Sequence, residues 1–121
     1  MDTSSSPRIL FSSDDYLLAS PIRDVLRKAG FHVDLATSYQ QLEQVWPSLR
    51  PEIVLFEVSR PDSIEPATAS ALRIKRLDAS QFIGYLADAN LRTFGLTGDA
   101  ILSRDVNLLP ETLRQIYTGK L

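Results

Sequence analysis

Cysteine is absent from the 121 residues, which excludes disulfides, thiolate metal sites, catalytic thiols and redox motifs. A single histidine, His32, excludes multi-histidine metal centres. No apolar run approaches the roughly 20 residues that cross a bilayer. The acidic-polar start, Met1 to Pro7, lacks the basic and apolar regions of a signal peptide, so a cytoplasmic protein is expected. An excess of one charge is also missing. The net charge of −2 argues against binding nucleic acid or anionic membrane through bulk electrostatics. What remains is an ordinary globular composition, 44% hydrophobic and 23% charged, at a length that suits one domain with a real core.

Residues 1–7, Ser-rich and ending in Pro, read as a loose tail. Strand and helix signals alternate from there. Arg8-Ile9-Leu10-Phe11-Ser12 is a short apolar run that reads as a buried strand. Leu18, Ile22, Val25, Leu26 and Ala29 then mark one helical face, with Gly30 where a left-handed cap is favoured. Phe31 to Ala36 alternates like an edge strand, which turns His32 outward. Thr37 or Ser38 can cap a helix whose stripe is Tyr39, Leu42, Trp46 and Leu49. Pro51 predicts extended backbone at Arg50.

Ile53-Val54-Leu55-Phe56-Glu57-Val58 is apolar on both faces apart from Glu57, as in a parallel strand covered on both sides. A helix from Pro66 to about Leu77, a strand at 82–86, a short helix within 88–96, a strand at 100–103 and a last helix opened by Pro110 complete the series. The pattern is (βα)5 over residues 8–118, with 119–121 a short C-terminal end. It predicts a flavodoxin-like α/β three-layer sandwich with a parallel sheet of order 2-1-3-4-5.

Ligands of open α/β sheets bind beyond the carboxyl ends of the strands. That rule selects Ser13, Asp14 and Asp15 after strand 1, Glu57 in strand 3, Leu86 in strand 4 and Arg104 after strand 5. Such carboxylates suit a hard cation such as Mg²⁺. Asp14 and Asp15 equally suit the cap of the first helix, and Arg104 reads equally as a solvated strand end.

The run Pro51-Glu52-Ile53-Val54-Leu55-Phe56-Glu57-Val58-Ser59-Arg60-Pro61 resembles the strand 3 segment of response-regulator receiver domains. In that family a phosphoacceptor Asp is followed, after three residues, by Pro. Asp99 to Arg104 resembles the family's strand 5 ending in Lys, and Ala29-Gly30-Phe31 its helix 1 to strand 2 junction. The likeness covers about residues 8–118. It implies a module of a two-component phosphorelay that takes a phosphoryl group from a histidine kinase with the help of Mg²⁺. Carried over residue by residue, the resemblance departs at the reacting positions. The acceptor position holds Glu57, the acidic pair falls on Ser13-Asp14, the switch hydroxyl on Leu86, the aromatic switch residue on Ile101 and the Lys on Arg104. Asp105 replaces the following Pro.

Glu57 carries its carboxylate about 1.5 Å further out than Asp, and in-line transfer tolerates displacement poorly. Together these departures imply a pseudo-receiver locked in one state, with a Glu57–Arg104 ion pair in its rim and no resident cofactor beyond weak Mg²⁺ at Asp14 and Glu57. The alternative is a slow phosphoacceptor using Glu57, Asp14 or Asp15 with Mg²⁺. By the same resemblance, a histidine kinase, an output domain, another signalling protein or a second copy would dock on the face of the helix between strands 4 and 5, strand 5 and the last helix. That face includes Arg92, Phe94, Asp105, Arg114 and Tyr117. The sequence leaves open a stand-alone module or a piece of a longer regulator. A nucleotide or flavin site is disfavoured, because Ser12-Ser13-Asp14-Asp15 has no glycine and two acids that repel phosphate.

Overall fold

The computed structural model describes residues 7–87 and 99–118. Within them lie strands β1 (Arg8–Ser13), β2 (His32–Ala36), β3 (Ile53–Val58), β4 (Phe82–Ala87) and β5 (Ala100–Leu102). The α-helices are α1 (Tyr16–Lys28), α2 (Tyr39–Leu49), α3 (Ile64–Leu77) and α4 (Leu109–Thr118). The strands form one sheet in the order β2-β1-β3-β4-β5, and every pairing is parallel. This is the flavodoxin-like arrangement that the alternation of elements predicts.

Side-chain alternation in the central strands divides the core in two. Leu10, Val54, Phe56, Val58, Ile83 and Tyr85 face one way and pack with Leu42, Trp46, Ala67, Ala71 and Ile74 of α2 and α3. Ile9, Phe11, Ile53, Leu55, Leu86 and Leu102 face the other way and pack with Ala19, Ile22 and Leu26 of α1 and Leu109 and Leu113 of α4. All six residues of β3 are buried, as a strand covered on both sides requires. Trp46, on the buried stripe of α2, also donates its indole N–H to Gln81 Oε1 at 2.8 Å, which satisfies its one polar atom.

Helix ends follow local chemistry. Ser38 caps α2 by accepting from the Gln41 N–H. At the end of α1, Gly30 N–H bonds to Arg27 O and Phe31 N–H to Leu26 O. Gly30 has φ +101° there, and Leu26 and Phe31 join the same core cluster. This is the paired-bond helix stop that needs a residue without Cβ.

Three expectations are corrected. Arg50 is not extended but left-handed, with φ 50° and ψ 58°, because it closes α2 with its N–H on Trp46 O before the chain turns into β3. Pro7 does not belong to a loose tail: it is buried, and its carbonyl accepts from His32 N–H at 3.0 Å, which anchors the entry to β1. Helix α3 begins at Ile64, before Pro66, since a 3₁₀ turn at Pro61–Ser63 starts the winding earlier. His32 is exposed on the edge strand, as the alternation predicts. The expected helix at 88–96 and the chain ends 1–6 and 119–121 lie outside the described residues.

Replacing Gly30 by Ala forces a β-carbon into the left-handed region, although it meets no neighbour there. We expect a loss of about 1–2 kcal/mol, measured by urea denaturation.

Candidate functional site

Three parallel strands end side by side at the carboxyl rim. Ser13 is registered against Glu57, and Glu57 against Leu86. Glu57 follows Ile53 and Leu55 on the face toward α1 and α4, so the pleat sends its carboxylate into an otherwise apolar layer. It is 0% exposed. A buried, uncompensated carboxylate is costly. Arg104 meets it from the segment after β5, with Nε 2.9 Å from Glu57 Oε2, an ion pair lying off the N–H axis. The Glu57 backbone carbonyl accepts from Asp14 N–H at 3.4 Å and from the Tyr39 hydroxyl.

Asp14 leaves β1 in the direction of the β3–α3 loop. Its Oδ1 accepts from the Ser59 hydroxyl at 2.6 Å. Its Oδ2 accepts from the N–H groups of Ser59 at 2.9 Å and Arg60 at 3.1 Å. Asp15 does something else: its side chain accepts from Leu17 N–H and caps α1. Asp15 is therefore corrected from pocket acid to helix cap, the second of its two sequence readings. The Ser13 hydroxyl stabilises that turn by accepting from Asp15 N–H and donating to Asp15 O, both at 2.9 Å.

The two acids of the rim titrate in opposite directions. Burial raises the Glu57 carboxyl above its ordinary 4.5, against the pull of the Ser13 hydroxyl and the Arg104 charge, and the Asp14 charge adds to the rise. Burial pushes Asp14 up too. Hydrogen bonds from the Ser59 and Ser63 side chains and from the Ser59 and Arg60 N–H groups outweigh it, and Asp14 sits below 3.8. The signs of linkage differ accordingly. Stability contributed by Glu57 is full below the unfolded value and is lost as pH rises through the folded one. Stability contributed by Asp14 is present above the unfolded value and is lost as pH falls through the folded one. Burial, with the charges of Asp14 and Glu57 nearby, likewise drives the Tyr39 phenol well above its usual range.

The two switch positions carry no polar side chain. Leu86 is fully buried and has no hydroxyl, and Ile101 packs against the cluster under α2 and α3. The donor set does not fit a hard divalent cation, which wants several free oxygens in octahedral array. Both Asp14 oxygens accept from the loop, Glu57 is matched by Arg104, and Ser13 is engaged with Asp15. No group of three or more metal-binding side chains occurs among the described residues.

The expected docking face is divided. Arg92 and Phe94 lie outside the described residues. Asp105 starts the turn into α4, with its carboxylate accepting from Asn107 N–H at 2.9 Å. Arg114 points to the opposite edge of the sheet, where it donates to Ala29 O at 2.8 Å and stands 5.7 Å over the Phe31 ring. Tyr117 lines the same cavity, with Pro7 and Phe31. Arg114 and Tyr117 thus lie against the α1–β2 junction. Tyr39, Ser59, Arg60 and Ser63 are rim residues that the sequence reading missed. The only available signal was the pair of hydroxyls at 59 and 63, flanking Pro61 just after the strand.

No protein-family model matches the chain, and no curated protein matches its sequence. Its fold matches solved receivers closely. A two-component response regulator of the LuxR family from Aurantimonas sp. SI85-9A1 superposes with a TM-score of 0.74 at 19% identity, over 96% of this chain and 88% of that one. A response regulator from Thermotoga maritima gives 0.74 at 15% identity, over 93% and 98%. TrrA, a response regulator of Thermotoga maritima solved with Mg²⁺ and BeF, gives 0.73 at 18% identity, over 95% and 99%. At these identities the likeness establishes the fold, that of receiver domains of two-component systems.

Replacing Arg104 by Ala leaves Glu57 buried without its countercharge. We expect a loss of about 3 kcal/mol at neutral pH. The loss shrinks as the pH falls and the buried acid, already raised by its burial, takes up a proton. Urea denaturation at several pH values checks this, and in a Glu57→Gln background the loss caused by Arg104→Ala no longer depends on pH.

Proposed function

We propose that this chain, with its receiver fold, is a pseudo-receiver: a signalling module of a two-component phosphorelay that works through protein contacts without phosphorylation of an aspartate. It is not an enzyme in this reading, and it acts in the cytoplasm. Its partner is a histidine kinase, an output domain, another signalling protein or a second copy.

One observation carries the proposal. The side chain at the phosphoacceptor position is a fully buried glutamate whose charge is matched by Arg104 at 2.9 Å. Phosphoryl transfer needs a free carboxylate oxygen in line with the donor and positive charge on the oxygens of the moving group. Here the carboxylate sits under the rim and the guanidinium neutralises it, so neither is available for the incoming group. The Leu86 side chain has no proton to give a phosphoryl oxygen, and the rim acids are engaged elsewhere. The same pairs that disable chemistry hold strand ends together, which suits a module recognised in one shape.

Incubating the full chain with acetyl phosphate and Mg²⁺ and weighing the intact protein tests this reading. The mass stays unchanged, whereas a phosphorylatable receiver treated in parallel gains a phosphoryl group. An adduct mapped to Glu57, Asp14 or Asp15 establishes the slow phosphoacceptor instead.

A further inference from the structure

The apolar side chains left in solvent are not spread evenly. Leu17 is 81% exposed, and Tyr16 and Leu18 stand beside it on the first turn of α1, at 50% and 39%. Leu108, just before α4, is 58% exposed. Crossover helices of a parallel sheet run against the strands, so α1 and α4 both begin at the carboxyl end. Both helices also cover the same face of the sheet. Large apolar side chains therefore protrude at one end of one layer.

The other end of that layer is hollow. A cavity of about 390 Å³ opens between the entry to β1, the α1–β2 junction and the last turns of α4. Pro7, Phe31 and Tyr117 give it apolar walls, and Gly30 adds no side chain. Arg114 lies along it, over the Phe31 ring.

Charge marks the two ends with opposite sign. Asp15 and Asp105 flank the protruding residues. Around the cavity stand Arg8, Arg114 and the last-turn cations of α1, Arg27 and Lys28. Asp34 and Glu111 offset Arg8 and Arg114 in part, at 3.8 and 3.5 Å. Opposite signs draw unlike ends together and keep like ends apart.

We propose that this chain associates with further copies of itself head to tail, the Leu17 end of one molecule seated in the Phe31–Tyr117 cavity of the next. A protruding apolar residue and a complementary pocket elsewhere on the same molecule make a heterologous contact. Knob and cavity lie at the two ends of one layer, so neighbours are related by a shift along the strands. Such an assembly grows as an open chain instead of closing as a dimer. The contact asks nothing of Glu57 or Arg104, so it goes beyond the pseudo-receiver reading and stands whether or not the chain takes up a phosphoryl group.

Sedimentation equilibrium of the full chain tests it. The contact is small and therefore weak, so protein is taken up to about 1 mM, where a millimolar contact is well populated. We expect the average mass to rise past that of two chains without a plateau, and to fall when salt is added. Leu17→Asp and Tyr117→Asp each hold the mass at one chain. Mixed in equal amounts they form a two-chain species and nothing larger, because the first keeps its cavity and the second keeps its apolar end. Both side chains are exposed, so neither change opens the core. Arg114→Glu serves if Tyr117→Asp does not fold. A plateau at two chains, with no association on mixing the variants, shows a symmetric dimer and overturns the proposal. A single-chain mass at every concentration leaves the cavity to another occupant and overturns it too. So does association that salt strengthens, or that either variant leaves intact.

Discussion

A carboxylate buried at the end of the central strand is the constraint around which this rim is organised. Glu57 is carried inward by strand parity, not by choice of environment: Ile53 and Leu55 precede it on the same face. An ionised group there must either keep a proton or acquire a cation. Arg104 supplies the cation from the far side of β4, and that requirement fixes where the chain leaving β5 has to run. The pair is better understood as a specifier of geometry than as a source of net stability, since burying two charges offsets much of their attraction.

Asp14 and Tyr39 complete the network by different means. Asp14 ties the end of β1 to the β3–α3 loop through charge-assisted bonds. Tyr39 reaches from the start of α2 to the Glu57 carbonyl, while its ring meets the edge of Phe56 at a centroid distance of 5.4 Å. Strands β1, β3 and β5 and helix α2 are thus joined at one end of the sandwich by side chains. These bonds tie the strand ends to one another and to the start of α2.

The fold was largely readable before any coordinates, because each strand and helix announces itself by a separate physical pattern. The unbroken apolar run at 53–58 required cover on both faces, and Gly30 required a left-handed stop. Errors arose where two local rules compete. At Arg50 the conformational bias of a residue before proline lost to the closure of α2, which offers a hydrogen bond to Trp46 O. At Pro7 a compositional reading of the N-terminus lost to the register of β1 and β2, which seats the Pro7 carbonyl against His32.

Sequence by itself determined the order of elements, the two-sided burial of β3 and the presence at strand ends of Ser13, Asp14, Asp15, Glu57 and Arg104. These follow from periodicity and from the topology of parallel sheets, which are local or nearly so. Tertiary structure alone decided how the acids are divided: Asp15 to a helix cap, Asp14 to the Ser59–Arg60 loop, Glu57 to Arg104. It also decided that Arg114 reaches Ala29 and Phe31 at the opposite sheet edge. Neighbouring carboxylates look alike in a sequence. Their roles separate only when folding gives each a different set of donors within about 3 Å, the range over which a hydrogen bond forms.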